Sequence, residues 1–321
     1  MIAVAGAGRM GLGIALSFAY SGHRVAVVDM KSRSPPEFEQ LATSFRSELQ
    51  DHLQFLVQEA ALETASAARV LDRITIVPSS SLQSALSGAD VVFEAVPEVA
   101  EAKAAAFQAI SAVADSDALI ASTTSTFGAD HLAQHVRSPE RFLNAHWLNP
   151  AHLMPLVEVS PCAKTVASNI ARLRELLQSI GKVPVVCKSS PGYIVPRIQT
   201  LAMNEAARLV EEGVASAEDV DTAVRTGFGL RFAVLGLLEF VDWGGGDILY
   251  YASKNLSENL HPIRFAAPDV VSTNMHQEKR GLRDGAGFHD YSGQDIARYR
   301  EQRLADFVAL LRHRKLMPVA G

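Results

Sequence analysis

Short apolar runs alternate with helical patterns along the first part of the chain. The apolar runs predict buried strands at residues 1–5, 24–29, 73–77, 90–96, 117–122, 141–146, 155–159 and 183–187. Helical patterns separate most of them, among them an apolar helix at about 11–21 and a helix at 165–180. Strands that alternate with helices form a parallel sheet with helices on both faces, so the pattern predicts an α/β fold with a doubly wound parallel sheet.

A long helical pattern without glycine or proline interrupts this alternation at 37–67. Ser34 precedes Pro35 and Pro36, and this order is typical of a helix start. The hydroxyl caps the first turn, and a proline there lacks only an amide that has no helical partner. At about 30 residues the segment is too long for one packed helix, so we expect a helical pair or a projecting arm.

The pattern changes after Pro191. From there on it is helical, and the loops are rich in glycine and charged residues. A chain of 321 residues suits two domains of ordinary size. We therefore predict a sheet domain at 1–190 and an all-helical C-terminal domain at 191–321.

Composition and charge exclude several classes of protein. The chain is 48% hydrophobic and 20% charged, as in ordinary globular proteins. Its formal net charge of -5 includes no basic block, which argues against a nucleic-acid partner. No stretch has the ~18 apolar residues that suggest a membrane span. The two cysteines, Cys162 and Cys187, fit no zinc or redox spacing, so we expect a cytoplasmic protein without a metal site.

A glycine-rich turn joins the first predicted strand to the first helix. Gly6, Gly8 and Gly11 have the spacing G-x-G-x-x-G, and Asp29 ends the next strand. The glycines permit a tight turn, close approach of the backbone to a pyrophosphate, and close packing of helix on strand. The helix N-terminus attracts phosphate, and the aspartate accepts hydrogen bonds from ribose hydroxyls and repels a 2′-phosphate.

This turn predicts a Rossmann-type NAD site. We include Arg9 and Met10, which lie between the glycines, among the cofactor-binding residues. Arg24 and Lys31 lie close to Asp29 in the sequence and leave NADP open as the less favoured cofactor. A glycine-rich turn without a ligand is the structural alternative.

A single histidine ends the strand at 141–146, in the stretch AHWLNP. Taken alone, His146 is more typical of a buried structural histidine than of an active site. Imidazole nevertheless suits the proton transfer of an alcohol oxidation, because it titrates near neutral pH. His131 and His135 have helical spacing for a metal, but no third ligand accompanies them.

Eight motifs, in this order, resemble the 3-hydroxyacyl-CoA dehydrogenase family over nearly the whole chain. They are GAGRMG (6–11), ADVVFEAVPE (89–98), ASTTST (121–126), RFLNAHWLNP (141–150), PLVEV (155–159), SSPGYIVPR (189–197), NEAARLVEEGVASAEDVDTAV (204–224) and GLRDGAGFHDY (281–291). The resemblance implies an NAD-dependent dehydrogenase that oxidises the secondary alcohol of an L-3-hydroxy acid, free or as a thioester. It also implies a homodimer formed through the helices of the second domain.

The resemblance assigns roles to particular residues. His146 matches the base of the family's HxxNP motif, and Glu158 matches the glutamate that holds and polarises its imidazole. Ser125 and Asn149 match residues that hydrogen-bond the reacting oxygens and position the nicotinamide. The remaining matches concern the cofactor: Glu98 and Lys103 at its ribose portion, and Arg283 as a nearby basic residue. A solvated charge or an ordinary turn is the alternative for each.

One departure from the family lies at the start of the second domain. The family has an asparagine in PGFxxNR close to the reacting centre, and this chain has Pro196 there. Proline fits a first helical turn, but its side chain forms no hydrogen bond. The oxyanion side must therefore depend on Ser125, Asn149 or an unidentified group.

The substrate region departs as well. Acyl-CoA members carry basic residues on the helical arm, whereas here residues 44–63 are net acidic and no lysine lies between Lys31 and Lys103. The usual PMGP stretch is replaced by GLRFAVLG (229–236), which resembles the L-gulonate, carnitine and pyridine-carboxylate dehydrogenases. We expect a small free hydroxy acid whose carboxylate Arg231 binds through its planar guanidinium.

Two alternatives remain open at this stage. One is an ordinary 3-hydroxyacyl-CoA dehydrogenase that acts on thioesters, in which Arg231 forms a domain or subunit salt bridge. The other, from a different class, is a non-catalytic crystallin-like or NAD-sensing protein that retains the fold. NADH formation with a panel of hydroxy acids distinguishes them.

Overall fold

A single eight-stranded sheet forms the first part of the molecule. The structure is a computed structural model, and it describes residues 1–319. The strands are β1 (Ile2–Ala5), β2 (Val25–Asp29), β3 (Ile74–Pro78), β4 (Val91–Glu94), β5 (Leu119–Ser122), β6 (Phe142–Trp147), β7 (Leu156–Pro161) and β8 (Val183–Val186). Their order across the sheet is β3-β2-β1-β4-β5-β6-β7-β8. The chain thus turns from one side of β1 to the other between β3 and β4, which confirms the doubly wound α/β fold.

Helices connect most of these strands. They are α1 (Arg9–Tyr20), α2 (Pro35–Gln58), α3 (Thr64–Leu71), α4 (Leu82–Leu86), α5 (Ala100–Val113), α6 (Ala129–Ala133) and α7 (Ala167–Ser179). Alternate residues of β1 point to opposite faces of the sheet, as the strand period requires. Ile2 and Val4 pack into one hydrophobic cluster, and Ala3 and Ala5 pack into the other. Both faces of the sheet are therefore covered.

One pair of neighbouring strands differs from the prediction in its relative direction. β6 and β7 are antiparallel, whereas every other neighbouring pair is parallel. The connection between them, residues 148–155, contains no helix. A parallel return needs a crossover of roughly a dozen residues or more, so this short connection reverses the chain. The predicted parallel sheet is therefore mixed, with one antiparallel pair.

The segment predicted at 37–67 forms a helical pair. α2 begins at Pro35, and the Glu37 carboxylate accepts hydrogen bonds from the backbone N–H (2.8 Å) and the hydroxyl (2.7 Å) of Ser34. Phe45, Leu49 and Leu53 recur every fourth residue and pack into the same hydrophobic cluster as Ile2 and Val4. The apolar stripe of α2 therefore lies against the domain.

The chain divides into two compact units, Met1–Ala202 and Met203–Gly321. The first unit also contains the start of α8 (Val195–Glu211). The described part of the second unit is helical: α9 (Ala217–Ala223), a π-helical turn (Val224–Phe228), α10 (Gly229–Val234), α11 (Leu237–Gly244), α12 (Gly246–Asn259), α13 (Asp269–His276) and α14 (Ile296–His313). The domain boundary near residue 190 stays a prediction. No helix within residues 1–319 combines the length and apolar character needed to cross a membrane.

Candidate active site

A cavity of about 530 Å³ lies in the first unit, where β1, β2, β4 and β5 end. Ligands bind at this edge in doubly wound sheets. The cavity is lined by Gly6, Ala7, Gly8, Arg9, Met10, Asp29, Met30, Lys31, Arg33, Leu41, Ala95, Val96, Pro97, Glu98, Thr123 and Ser125. Gly6, Gly8, Arg9 and Met10 of the predicted glycine loop thus line one cavity together with Ser125, whereas Gly11 does not line it.

The glycines of this loop have the geometry that a dinucleotide needs. Gly6 has a φ of +134°, and a Cβ there would lie 2.4 Å from the carbonyl oxygen of Ala95. A Cβ at Gly11 would lie 1.9 Å from the carbonyl oxygen of Gly6, so helix α1 packs directly on the turn. A Cβ at Gly8, by contrast, would meet no atom within 4 Å, and Gly8 lines the cavity. No side chain therefore covers the backbone of Gly8, where a pyrophosphate would approach the N-terminus of α1. The site fits NAD.

Asp29 ends β2 at the far side of this cavity and is almost fully buried. Its Oδ2 accepts a hydrogen bond from Nε of Arg33 (2.6 Å), and its Oδ1 accepts one from the backbone N–H of Lys31 (3.3 Å). Arg33 and Lys31 also line the cavity. The ribose-binding carboxylate predicted from the sequence is therefore paired with an arginine that the sequence interpretation did not single out.

Glu98 organises the loop that follows β5. Its Oε1 accepts hydrogen bonds from the backbone N–H groups of Ser125 (3.0 Å) and Thr126 (2.9 Å) and from the hydroxyls of Thr124 (2.5 Å) and Thr126 (2.7 Å). Burial of this carboxyl opposes ionisation, but the hydrogen bonds from Thr124 and Thr126 and the charge of Lys103 outweigh it and lower its pKa to about 2. Glu98 therefore stays ionised and fixes the backbone of Ser125.

Lys103 was predicted to contact the cofactor's ribose, and the structure places its side chain beside two carboxylates. The side chain is fully buried, and its Nζ lies 3.0 Å from Oε1 of Glu94 and 3.2 Å from Oε2 of Glu98. Its long side chain extends from α5 to Glu94 at the end of β4 and to Glu98 in the connection that follows, and Lys103 does not line the cavity. Lys103 thus pairs with Glu98, which lines the cavity, and its predicted contact with the cofactor stays a prediction.

His146 and Glu158 lie side by side on the antiparallel strands β6 and β7, as direct cross-strand partners. Nδ1 of His146 lies 2.8 Å from Oε2 of Glu158, and both residues are buried. A carboxylate only accepts hydrogen bonds, so Nδ1 carries a hydrogen and donates a hydrogen bond to Glu158. Nε2 lies 3.2 Å from Oγ of Ser125, which also lines the cavity. The imidazole thus has one nitrogen held by a carboxylate and the other facing Ser125.

The other oxygen of Glu158 is held by the start of α8. Oε1 accepts hydrogen bonds from the backbone N–H groups of Ile194 (2.9 Å) and Val195 (2.9 Å). These two hydrogen bonds hold the carboxylate of Glu158 in one orientation beside His146. Pro196 follows directly in the first turn of α8, where the predicted tolerance of proline applies.

Tyr193 is a site residue that the sequence interpretation did not identify. Its ring stacks on His146, with centroids 5.0 Å apart and planes inclined by 8°. Its hydroxyl donates to the carbonyl oxygen of Thr124 (2.9 Å) and accepts from Nδ2 of Asn144 (2.9 Å). The only sequence signal was an aromatic residue after Pro-Gly, which is equally typical of an ordinary turn.

Asn149 is not brought into contact with His146. It is exposed and lines a separate cavity of about 200 Å³ with Arg9, Glu48 and His52, among others. Its side chain has no hydrogen-bond partner among residues 1–319. The role predicted for Asn149 at the reacting oxygens stays a prediction.

A buried lysine holds the connection between β6 and β7 that carries Asn149. Nζ of Lys182 donates to the carbonyl oxygens of Ala151 (2.7 Å) and Met154 (2.9 Å) and lies 5.5 Å from the ring centroid of Trp147. Burial lowers the pKa of Lys182 to about 8. No sequence pattern indicates this contact, because the partners are backbone atoms distant along the chain.

The two predicted arginines of the second unit differ in their environment. Arg231, on α10, is exposed, and its guanidinium lies 4.7 Å from the ring centroid of Phe240. No carboxylate pairs with it in the described part of the chain. Nη2 of Arg283, in contrast, lies 2.7 Å from Oδ1 of Asp247. The predicted cofactor contact of Arg283 stays a prediction.

Known proteins resemble this chain over almost its full length. The family model for the 3-hydroxyacyl-CoA dehydrogenase NAD-binding domain matches residues 1–190, and the model for the C-terminal domain of the same family matches 192–291. The 5-formyl-3-hydroxy-2-methylpyridine 4-carboxylate 5-dehydrogenase of Mesorhizobium japonicum is 34% identical over 97% of this chain and 97% of that protein.

Relatives named for CoA thioesters are also similar. The mitochondrial hydroxyacyl-coenzyme A dehydrogenase of Sus scrofa is 30% identical over 90% of each chain. The crystal structure of a 3-hydroxyacyl-CoA dehydrogenase from Archaeoglobus fulgidus superposes with a TM-score of 0.76 at 29% identity and covers 98% of this chain and 99% of that one. With an NAD-binding domain at its N-terminus and the family's C-terminal domain after it, the chain belongs to the 3-hydroxyacyl-CoA dehydrogenase family.

Proposed function

We propose that the protein oxidises the secondary alcohol of a 3-hydroxy acid with NAD, or reduces the 3-oxo acid with NADH, and that His146 is the general base. The observation that carries this proposal is the position of Ser125. It lines the dinucleotide cavity, and its hydroxyl faces Nε2 of a histidine whose Nδ1 is held by Glu158. A positioned base therefore adjoins a cofactor site.

The chemistry follows from this arrangement. NAD held by the glycine loop and Asp29 would supply the hydride acceptor for the carbinol carbon. Nε2 of His146 takes the hydroxyl proton, and Glu158 stabilises the imidazolium that results. The hydroxyl of Ser125 donates a hydrogen bond to the reacting oxygen, while Glu98 keeps the Ser125 backbone in place by accepting a hydrogen bond from the N–H of Ser125. In the reductive direction the same imidazolium returns the proton.

We favour a small free hydroxy acid over a CoA thioester as the substrate. Arg231 is an exposed guanidinium that no described carboxylate neutralises. The arm at 44–63 is net acidic, which suits the phosphates of CoA poorly. A relative at 34% identity is named for a carboxylate substrate. The alternative, a 3-hydroxyacyl-CoA thioester, is favoured by the names of the other relatives.

The experiment compares substrates in the reductive direction. The kcat/KM for acetoacetyl-CoA is measured beside that for small 3-oxo acids. Arg231→Met should lower kcat/KM for the true acid by roughly 10- to 150-fold, because a hydrogen bond to a charged group is worth about 1.5–3 kcal/mol. The same substitution should hardly change kcat/KM for a neutral ester of that acid. Arg225→Met, which removes another exposed arginine of the same unit, is the control.

The outcomes separate the three candidates. A large advantage for acetoacetyl-CoA would contradict the free-acid proposal and leave a thioester dehydrogenase. No reduction or oxidation of any acid or thioester would favour the non-catalytic alternative. An unchanged kcat/KM for the acid in Arg231→Met would remove Arg231 from the substrate site.

We further propose a homodimer formed through helices of the second domain. No residue of α8 is fully buried in this chain, and two of its apolar side chains are largely exposed, Leu201 at 71% and Met203 at 62%. Exposed apolar side chains on one helix are typical of an interface. Light scattering after gel filtration tests the stoichiometry, and a monomer at micromolar concentration would contradict the proposal. The cytoplasmic location stays a prediction.

A further inference from the structure

We propose that Tyr193 is a positioning residue for His146: its ring fixes the plane of the imidazole, and its hydroxyl connects that plane to the loop of Ser125. This inference rests on the proposed function, because His146 needs a fixed plane only if it exchanges a proton with substrate. The contacts of the ring, the hydroxyl and the backbone support it separately.

The ring contact restricts the tilt of the imidazole. The two rings are nearly parallel, 5.0 Å apart, and both side chains are buried. The hydrogen bonds of an imidazole lie in its plane, so a tilt weakens the contacts to Glu158 and Ser125 together. A flat aromatic neighbour opposes that tilt, whereas an aliphatic side chain leaves the imidazole freer to tilt.

The hydroxyl contacts connect Tyr193 to the same hydrogen-bonded group. Thr124, whose carbonyl oxygen accepts from the hydroxyl, directly precedes Ser125. Asn144, which donates to the hydroxyl, lies two positions before His146 on β6. Burial raises the pKa of Tyr193 above its ordinary value, so the phenol keeps its proton and donates near neutral pH.

The backbone at Tyr193 supports the same arrangement. Its φ of +44° lies in the left-handed region, which is unfavourable for a residue with a Cβ. Such conformations persist where surrounding contacts over-determine them, and they cluster at functional sites. The two residues that follow, Ile194 and Val195, donate their N–H groups to Glu158. One turn thus supplies the stacked ring and holds the carboxylate.

The stack also suits the charge that His146 acquires. An aromatic face attracts a cation placed over it. The imidazolium formed when His146 takes a proton lies over the face of the phenol ring, so the stack stabilises the transition state more than the ground state. An aliphatic residue in place of Tyr193 lacks this attraction.

The experiment compares Tyr193→Phe, which keeps the ring, with Tyr193→Leu and Tyr193→Met, which remove it. Tyr20→Phe is the control, because it removes a hydroxyl that donates to the carbonyl oxygen of Ala61 (2.7 Å) outside this group. Histidine side-chain NMR gives the first measurement, with His146 assigned by its loss in His146→Gln. The ring-current shift of the His146 ring protons should persist in Tyr193→Phe and vanish in both aliphatic variants.

Kinetics gives the second measurement. Tyr193→Leu and Tyr193→Met should lower kcat by roughly 30- to 100-fold with KM within threefold, as misplacement of a catalytic group does. Tyr193→Phe should recover most of that loss, and Tyr20→Phe should match the wild type. NADH affinity should stay within twofold in every variant.

Two results would overturn the proposal. One is an unchanged His146 ring-current shift in the aliphatic variants. The other is an equal loss of kcat in Tyr193→Phe and Tyr193→Leu, since the ring would then have no separate effect. The NMR measurement needs no substrate. It therefore tests the contact between the rings of Tyr193 and His146 even if the proposed function fails. Two aliphatic variants keep the test intact if one of them does not fold.

Discussion

His146 and Glu158 face each other across an antiparallel pair of strands, with Nδ1 2.8 Å from Oε2. The strands are antiparallel because the connection between them is too short for a parallel return. The feature of the sheet that the sequence pattern did not predict is thus the one that brings the base and its carboxylate together.

This pair predicts the effect of Glu158→Gln. A glutamine keeps the shape but no longer stabilises the imidazolium and allows the other tautomer, so kcat should fall by about 10²- to 10⁴-fold, as for carboxylates that orient a histidine in hydrolases. Affinity for NADH should be unchanged. Glu175→Gln, at an exposed position of α7, is the control. Steady-state kinetics checks the prediction, and turnover within threefold of the wild type would contradict it.

The Asp29 carboxylate predicts cofactor preference. Asp29→Ala should weaken NADH binding by roughly 10- to 150-fold, the worth of about 1.5–3 kcal/mol for a hydrogen bond to a charged group. It should also reduce the ratio of the affinity for NADH to the affinity for NADPH, because the repulsion between Asp29 and the 2′-phosphate is lost. Titration of nicotinamide fluorescence with both cofactors measures this without a substrate.

Arg33 gives the matching variant. Because its guanidinium pairs with Asp29 at 2.6 Å, Arg33→Gln leaves that carboxylate unneutralised. The affinity for NADPH should therefore fall by more than the affinity for NADH. An unchanged ratio of the two affinities in both variants would show that Asp29 does not discriminate between the cofactors.

Lys182 predicts a pH dependence of stability. Its pKa is lowered to about 8, from 10.5 in the unfolded chain, so between these values the unfolded state binds more protons. The free energy of unfolding should therefore gain a contribution on the order of 3 kcal/mol as the pH rises through this window. Urea denaturation from pH 7 to 10.5 should show this slope in the wild type and in Lys188→Met, which alters an exposed lysine. Lys182→Met should lack it, and equal slopes would refute the assignment.

The sequence predicted the features that depend on local pattern. The strands, the glycine loop and the helix start at Ser34 each have a signature within a few residues, and the structure contains them. The resemblance to the family selected His146 and Glu158, whose contact the structure shows.

The remaining features depend on partners that no local pattern reveals. The sequence pattern of Lys103 indicates a solvated helical lysine or a cofactor contact, yet its side chain is buried and pairs with Glu94 and Glu98. The partners of Tyr193 and Lys182 are a ring and backbone carbonyls from distant strands and loops. Tertiary contacts of this kind become visible only once the sheet is assembled.

The most direct test of the central claim is NADH formation by the wild type and by His146→Gln over a panel of 3-hydroxy acids and their CoA thioesters. We predict that the wild type oxidises at least one of them. His146→Gln should lower kcat for that substrate by about 10²- to 10⁴-fold, the usual worth of a positioned base, with NADH affinity unchanged. Near-normal turnover in His146→Gln would contradict the account.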